Sequence, residues 1–333
     1  MYSRKRLLRI LIAFGGLVLF ALLIWSNDPR TLLNDFVSLG WGMSWVILLG
    51  GVSHLVKTWA WAQTFPSDQP VPSFGRLFGI RLAGEGISQL SFAGHVVGET
   101  TRAVMVGAHV PSVTGVSTVV LDRALYGFTG MLVVVTGACL SWLLLPLPIE
   151  LQRYNVLVIL VMGGVCWGAI YLTRNRIRIA SRPFGWLGRQ LGQEGLTAKV
   201  EAAGHVEDIV YGFYGESRRI FWRAAALNMV SHALAILEVW LILYLIAVKS
   251  GLFEAFMVEA GAKIINLGGL VIPGNLGASE GASMLLLGSL GLGADNGLTL
   301  AIARRLRGLF WAGAGVLYFY LFMTRKGSVE GPR

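Results

Sequence analysis

The chain has 333 residues, of which 55% are apolar and only 14% are charged. Soluble domains carry about 25% charged residues, so this composition excludes a soluble globular protein and predicts an integral membrane protein. The formal net charge is +10, which is typical of the Lys and Arg excess on the cytoplasmic side of membrane proteins. Because no basic domain stands apart from the apolar runs, nucleic acid is not an expected partner.

Residues 1–72 predict two membrane spans. Basic residues precede an apolar run over residues 7–25, and no small-residue cleavage site follows it, so we expect a retained span that enters from the cytoplasm. Residues 36–61 form the second predicted span. His54 and Lys57 lie in its last turns, where they either anchor the span at the interface or line a headgroup pocket.

The stretch over residues 74–107 is broken near residues 91–95 and contains Glu85, His95 and Glu99. Each half is shorter than the roughly 20 apolar residues that a membrane span needs. We therefore expect two half-helices that enter and leave the membrane on one side. Polar backbone at membrane depth is tolerated only inside protein or beside a watery cavity, so this stretch predicts one of those surroundings.

The remaining apolar runs predict four more spans, at residues 113–145, 155–172, 222–247 and 297–323. Between the fourth and fifth spans, residues 174–221 predict a cytoplasmic amphipathic segment, which lies on the membrane surface or packs under the bundle. Glu201, Glu207 and Asp208 are expected on its polar face. Basic residues gather at the N-terminus, in the amphipathic segment and at the C-terminus, which predicts that both termini are cytoplasmic.

A second broken stretch, at residues 252–290, repeats the pattern of the first. Glu99 is followed 24 residues later by Arg123, and Glu280 is followed 24 residues later by Arg304. With the predicted span count, the two units enter the membrane from opposite sides and form an inverted repeat. Inverted repeats with broken helices are typical of alternating-access carriers. A chance match of these four residues is the alternative interpretation.

The two repeat units supply the candidate residues for substrate binding and translocation. They are Glu85, His95, Glu99, Arg102, Arg123, Glu280 and Arg304. Helix N-termini and Arg side chains favour anions, and the guanidinium group suits phosphate oxygens. The carboxylates either neutralise the arginines of an empty site or bind a coupled proton or cation. Structural salt bridges that only orient helices are the competing interpretation.

Motifs for other chemistry are missing from the sequence. It contains no His-Glu-x-x-His motif and no nucleophile elbow, so no metal, no cofactor and no enzymatic activity are expected. Cys139 and Cys166 both lie in apolar runs. They are therefore expected to be buried small residues rather than a disulfide or a metal pair.

Four pieces of the sequence resemble one known family. They are GEGISQL at 84–90, VGETTRA at 97–103, VVLDRALYG at 119–127 and PGNLGASEGA at 273–282. Their order and spacing resemble the membrane domain of lysylphosphatidylglycerol synthases, the flippase-like family, and the resemblance implies a phospholipid-handling membrane protein. Long members of that family join this domain to a soluble aminoacyl transferase, and aminoacylation of lipid is not expected of this chain. The chain's length and layout are similar to stand-alone members that are associated with hopanoid biosynthesis.

The sequence therefore predicts an all-α integral membrane protein with about six full transmembrane helices and two re-entrant helix pairs in an inverted repeat. A single polytopic domain is expected over residues 1–333, in which 73–145 and 252–324 are the repeat units. The expected function is translocation of a phospholipid, hopanoid or polyprenyl-linked lipid across the bacterial inner membrane through a polar cavity. A membrane-embedded headgroup transferase and a non-transporting partner of a lipid-modifying enzyme are the alternatives. Membrane lipids and lipid-biosynthesis enzymes are the expected partners.

Overall fold

The structure is a computed structural model of the chain. It describes residues 37, 39–66, 69, 71–89, 91, 94–144, 149–179, 181, 197–216, 218–268 and 278–329. The predicted first span at residues 7–25, the side chain of His95 and the PGNLG piece at 273–277 lie outside these residues. The described part of the chain is helical and contains no strand, which confirms the all-α class.

The described residues form ten helices. They are α1 (Gly42–Ala62), α2 (Phe74–Gln89), α3 (Gly94–Val106), α4 (Ser112–Leu144), α5 (Ile149–Arg174), α6 (Thr197–Glu216), α7 (Arg218–Leu245), α8 (Leu252–Gly268), α9 (Ala278–Ser289) and α10 (Ala294–Val329). Four segments are long and apolar enough to cross a membrane: Ser112–Leu144, Gln152–Arg174, Arg218–Leu245 and Ala294–Thr324. They coincide with the third to sixth predicted spans, and the chain is a multi-pass membrane protein.

Helix α1 occupies most of the second predicted span but is not among those four segments. Its 21 residues give a length of about 31 Å, which is enough to cross the hydrocarbon layer. Large apolar side chains are exposed at helical spacing along it: Trp45, Leu48, Val52, Leu55 and Trp59. Such a stripe suits a lipid environment, and the role of α1 as a span remains a prediction.

Both broken stretches form pairs of short helices, as expected. Helices α2 and α3 have 16 and 13 residues, and helices α8 and α9 have 17 and 12. In the first pair the two helices run antiparallel with almost no space between their backbones, because a Cβ atom on Gly98 would collide with the carbonyl oxygen of Gly84. In the second pair, a Cβ atom on Gly261 would meet the side chain of Leu286 rather than backbone. Each of these helices is shorter than the roughly 20 residues that are typical of a membrane span.

The chain divides into two compact units. Unit 1 contains Met1–Leu55, Phe78–Arg102 and Ser231–Arg333, and unit 2 contains Val56–Leu77 and Ala103–Val230. The apolar core of unit 1 draws on α7, α8, α9, α10 and the start of α1. Its buried members include Met43, Val46, Val239, Ile242, Ala255, Val258, Leu287, Leu300 and Ala303.

Helix α10 packs against several neighbours in unit 1 through glycines and one tryptophan. Gly315 lies against the carbonyl oxygen of Leu82 on α2, so closely that no side chain fits at this position. The indole Nε1 of Trp311 donates a hydrogen bond to the carbonyl oxygen of Ile47 on α1 at 2.9 Å. Small residues allow this kind of close approach between membrane helices. Helix α10 therefore contacts the backbone of α2 through Gly315 and the backbone of α1 through Trp311.

In unit 2, α6 packs against α4, and its buried face differs from the predicted one. Glu207 was expected on the polar face, but it is only 7% exposed. Its carboxylate accepts hydrogen bonds from the backbone N–H and the hydroxyl group of Ser181. The hydroxyl of Tyr211 donates to the carbonyl oxygen of Ile177 at 2.6 Å, and burial, reinforced by the charge of Glu207, raises the pKa of Tyr211. These bonds, which the apolar pattern does not reveal, fix the face that α6 buries.

Candidate functional site

A row of alternating charges joins α7, α8 and α10 within unit 1. Arg304 donates a hydrogen bond to Glu259 at 2.5 Å, and its Nε lies 3.5 Å from Glu238. Glu238 is paired with Arg307 at 2.7 Å, and Glu259 is paired with Lys263 at 2.8 Å. The order along the row, from one end to the other, is Arg307, Glu238, Arg304, Glu259 and Lys263. Each acid therefore lies between two cations.

The charged row continues the apolar core of unit 1 by one helical turn. Glu259 follows the core residue Ala255 by four positions on α8, and Arg304 follows the core residue Leu300 by four positions on α10. Residues four apart lie on the same face of a helix. The same packing that buries the apolar side chains therefore brings these charged groups together.

The two acids of the row are almost completely buried. Glu238 is 2% exposed and Glu259 is 5% exposed. A buried carboxylate is costly unless it is paired and hydrogen-bonded, and removing one partner of a buried ion pair typically costs about 3–5 kcal/mol. Arg304 bridges both acids and therefore links α10 to α7 and α8.

A second buried ion pair links α9 to α10. Glu280, the third residue of α9, forms an ion pair with Arg305, whose guanidinium nitrogen lies 2.7 Å from the carboxylate. A carboxylate in the first turn of a helix is also stabilised by the helix dipole. The pair therefore holds the start of α9 against the middle of α10.

A third ion pair lies within α3, where Arg102 donates to Glu99 at 2.8 Å across one turn. Arg102 is only 4% exposed. Gly84 on α2 provides the space for it, because a Cβ atom there would collide with the Arg102 side chain. The antiparallel packing of α2 and α3 therefore buries the Arg102 side chain, while Glu99 is partly exposed.

The comparison with known families agrees with this architecture. A family model described as the lysylphosphatidylglycerol synthase TM region matches residues 6–315. The chain belongs to this family. No curated protein and no solved structure matched the chain significantly. The family is one of membrane proteins related to lipid modification or transport, and the match confirms the resemblance expected from the sequence pieces.

In this member of the lysylphosphatidylglycerol synthase TM family, several predicted site residues have partners other than those suggested by the repeat. Glu280 pairs with Arg305, whereas Arg304 pairs with Glu238 and Glu259. Successive residues on a helix point about 100° apart, so Arg304 and Arg305 reach different helices. The repeat spacing identified the correct region of α10 but not which arginine meets which acid.

The other predicted residues are distributed over both units. Glu99 and Arg102 meet in unit 1, and Glu85 on α2 is half-buried in the same unit. Arg123 on α4 belongs to unit 2 and is exposed, while its neighbour Asp122 is 2% exposed. Neighbouring residues in one sequence motif therefore have opposite surroundings.

Five residues of the ionic clusters were missing from the predicted set. They are Glu238, Glu259, Lys263, Arg305 and Arg307. The i,i+4 spacing of Glu259 and Lys263 was one available signal, because residues at this spacing on a helix can pair, as these two do. A lone acid in an apolar span, as Glu238 is, was the other available signal, because such residues are rare and need a partner.

The site offers no obvious set of metal ligands. Among the described residues, no three His, Cys, Asp or Glu side chains are grouped in a way that could hold a metal ion. The buried acids instead have Arg and Lys partners, which occupy the positions that a cation would take. Chemically, the arrangement can hold charge at membrane depth and can bind an anion at its cationic groups.

Proposed function

We propose that this protein is a lipid translocase of the bacterial inner membrane, with a phospholipid, a hopanoid or a polyprenyl-linked lipid as its cargo. The observation that carries the proposal is the charged row through Glu238, Arg304 and Glu259, which is buried between helices of a multi-pass membrane protein. Charged groups at membrane depth are costly and typically mark a substrate or ion pathway. Membership of a family related to lipid modification or transport supports the same function.

The arrangement of the helices supports a carrier mechanism. The α2–α3 pair is followed by the 33-residue helix α4, and the α8–α9 pair is followed by the 36-residue helix α10. The similar lengths agree with an inverted repeat in which the pairs enter from opposite sides. In carriers of that design, broken helices meet near the midplane and provide the polar groups that bind the cargo. Both termini are then cytoplasmic.

The test is lipid movement by the purified full-length protein in liposomes that contain a lipid labelled on its headgroup. A membrane-impermeant quencher added outside reports how much labelled lipid reaches the outer leaflet. We expect the protein to move the lipid. Glu259→Gln and Glu99→Gln should each slow it about tenfold or more, equivalent to about 1.4 kcal/mol in the barrier. Both variants must elute as folded protein for the comparison to count.

Glu201→Gln is the matched control, because Glu201 is an exposed acid on α6 outside the ionic clusters. It should move lipid at the wild-type rate. If the wild-type protein moves no lipid, the proposed function is wrong. Normal movement by both Glu259→Gln and Glu99→Gln would show instead that these ion pairs only hold helices together.

A second candidate function follows from the family description, which names a synthase. In this alternative the protein is a non-transporting membrane partner that positions lipid for a lipid-modifying enzyme. It would then retain lipid but fail to move it between leaflets in the same liposomes. The quencher experiment on the wild-type protein separates the two candidates.

A further inference from the structure

Two histidines lie within the helices of unit 1, His54 on α1 and His232 on α7. The side chain of His232 is 1% exposed, and the Nδ1 atoms of both rings are buried. Histidine is the side chain whose ordinary titration range lies between pH 5 and 8. Ionisable side chains within a membrane protein are typical of proton pathways as well as of substrate pathways. The position of these two rings relative to the charged row is therefore informative.

Helices α1 and α7 run antiparallel in unit 1. Gly42, at the start of α1, lies against the side chain of Leu245, at the end of α7. Further along α1, Gly50 lies against the side chain of Arg307, whose guanidinium bonds Glu238 on α7. Residue numbers therefore rise along α1 in the direction in which they fall along α7.

This packing places the two histidines at the same level. With a rise of about 1.5 Å per residue, His54 lies about 18 Å along α1 from Gly42. His232 lies about 20 Å along α7 from Leu245, in the same direction. The level of the two rings is one helical turn beyond that of Gly50.

Both histidines lie on helix faces that enter the apolar core. His54 follows Ile47 by seven positions, and His232 precedes Val239 by seven positions. Val239 belongs to the apolar core of unit 1, and Ile47 packs against it. Residues seven apart share a helix face. The faces that form the core therefore carry the two histidines two turns further on, past the charged row.

Helices α2 and α10 border the same region. The ring centroid of Trp311 on α10 lies 5.7 Å from that of His54, and Phe78 on α2 contacts the same indole. The charged groups on the described helices of this region are Lys57 on α1, Arg81 and Glu85 on α2, Glu238 on α7, and Arg304 and Arg307 on α10. Of these, Lys57 is directed at the ring of Tyr126, with its Nζ 5.2 Å from the centroid.

Glu238 is the acid that connects the histidines to the charged row. It is the acid of α7 and lies about 9 Å along the helix axis from His232. Its carboxylate is shared between Arg304 and Arg307, which link α7 to α10. A positive imidazolium at the level of His232 attracts this carboxylate and competes with the two arginines. Protonation therefore weakens the link between the two helices.

We propose that His54 and His232 form a proton site and that the binding of one proton there drives lipid movement. The inference rests on the proposed function and adds its energy source. Two imidazolium groups at one level, beside two arginines, repel each other, so the pair holds one proton at a time. The bound proton loosens the ion pairs of Glu238 with α10, and its release on the other side of the membrane restores them.

The experiment imposes a pH gradient on liposomes that contain the full-length protein and a headgroup-labelled lipid. Valinomycin with equal potassium on both sides holds the membrane potential at zero. One pH unit is a tenfold difference in proton activity, so coupling to one proton draws the labelled lipid towards a leaflet ratio of about ten. We expect the wild-type protein to reach a ratio of about threefold or more under this gradient. This ratio does not depend on the orientation of the protein, because it is set by equilibrium.

His54→Gln and His232→Gln should each abolish the unequal distribution, because glutamine does not bind a proton in this pH range. His205→Gln is the matched control, since His205 is an exposed histidine on α6 in unit 2. It should reach the wild-type ratio. An unequal distribution that persists in folded His54→Gln and His232→Gln variants would overturn the site.

A second measurement tests the site without transport. NMR of the full-length protein with ¹³C-labelled histidine in detergent follows each ring between pH 5 and 8. We expect His54→Gln to move the titration midpoint of His232 by about one pH unit, because the two rings interact, whereas His205→Gln leaves it unchanged. Wild-type rings of His54 and His232 that do not titrate in this range would overturn the proton site.

The two proposals fail separately. Wild-type protein that moves lipid but keeps equal leaflets under the pH gradient leaves the translocase standing and removes the proton coupling. Wild-type protein that moves no lipid removes the translocase and, with it, the coupling, and the NMR titration then decides whether the two histidines bind a proton.

Discussion

At the residue scale, Arg304 and Arg305 show how two adjacent side chains acquire different tasks. Arg304 connects α10 to Glu238 on α7 and Glu259 on α8, while Arg305 connects it to Glu280 on α9. The difference follows from the helical rotation between neighbours. Each arginine stabilises the carboxylate of its buried acid partner. The energetic effect of one substitution therefore depends on which charged partner it leaves behind.

The Glu280–Arg305 pair allows a test of that dependence. We expect Glu280→Gln to destabilise the protein, because it leaves the Arg305 charge without its carboxylate; the cost is about 3–5 kcal/mol for a buried pair. The double variant Glu280→Gln, Arg305→Met should recover most of this loss, since it removes both charges. Thermal unfolding in detergent, followed by fluorescence, measures the difference.

The control for this pair is Ser289→Ala on the same helix, at an exposed position that is distant from the pair in sequence. It should leave the unfolding temperature nearly unchanged. If the double variant unfolds at the same temperature as Glu280→Gln, Arg305 is not the main partner of Glu280. A stable double variant that no longer moves lipid would show that Glu280 has a role beyond holding α9.

Part of the site could be predicted from local sequence spacing. The i,i+4 pair of Glu259 and Lys263 follows from helical geometry alone. The contact between Glu238 and Arg307 could not be predicted in this way, because the two residues are 69 positions apart in sequence. Their meeting depends on how α7 and α10 rotate against each other, and that rotation is determined by the apolar core.

At the element scale, the short helix pairs could be predicted because their signal is local. A glycine-containing break within a run that is too short for two spans predicts a pair of half-helices. The precise packing of those helices needs the structure. Gly86 on α2 and Gly315 on α10 lie so close to the facing backbone that no side chain fits at either position. Other glycines on the same helices lie in open space, and the sequence does not distinguish the two kinds.

Gly315 and Gly313 on α10 provide a matched pair of substitutions. A methyl group at Gly315 would collide with the backbone of Leu82, whereas nothing lies within 4 Å of one at Gly313. We expect Gly315→Ala to lower the free energy of unfolding by about 1–3 kcal/mol, because backbone must shift. Gly313→Ala should be neutral or slightly stabilising, since Ala favours helix over Gly. Equal unfolding temperatures for the two variants would contradict this packing of α2 on α10.

At the scale of the whole molecule, hydropathy predicted the four long apolar segments well, because each is a property of consecutive residues. The division into two units, in contrast, is not a property of consecutive residues. Unit 1 combines Phe78–Arg102 with Ser231–Arg333, which are far apart in the chain. No periodic sequence pattern predicts that these distant segments pack together, because their packing depends on which helix faces bury each other. The membrane orientation of the two helix pairs is likewise a property of the whole chain.

The proposed inverted repeat makes a prediction about sidedness that single cysteines can test. In a background with Cys139→Ala and Cys166→Ala, we place a cysteine before each helix pair, at the exposed positions Val71 and Lys249. Lys249→Cys should react with a membrane-impermeant thiol reagent in intact spheroplasts, because in the proposed topology the chain enters α8 from outside. Val71→Cys should react only after permeabilisation, as should Asn175→Cys, an exposed control near basic residues that are predicted to be cytoplasmic. Reaction of Val71→Cys and Lys249→Cys from the same side would exclude an inverted repeat, and the carrier mechanism would then lose the symmetry on which alternating access depends.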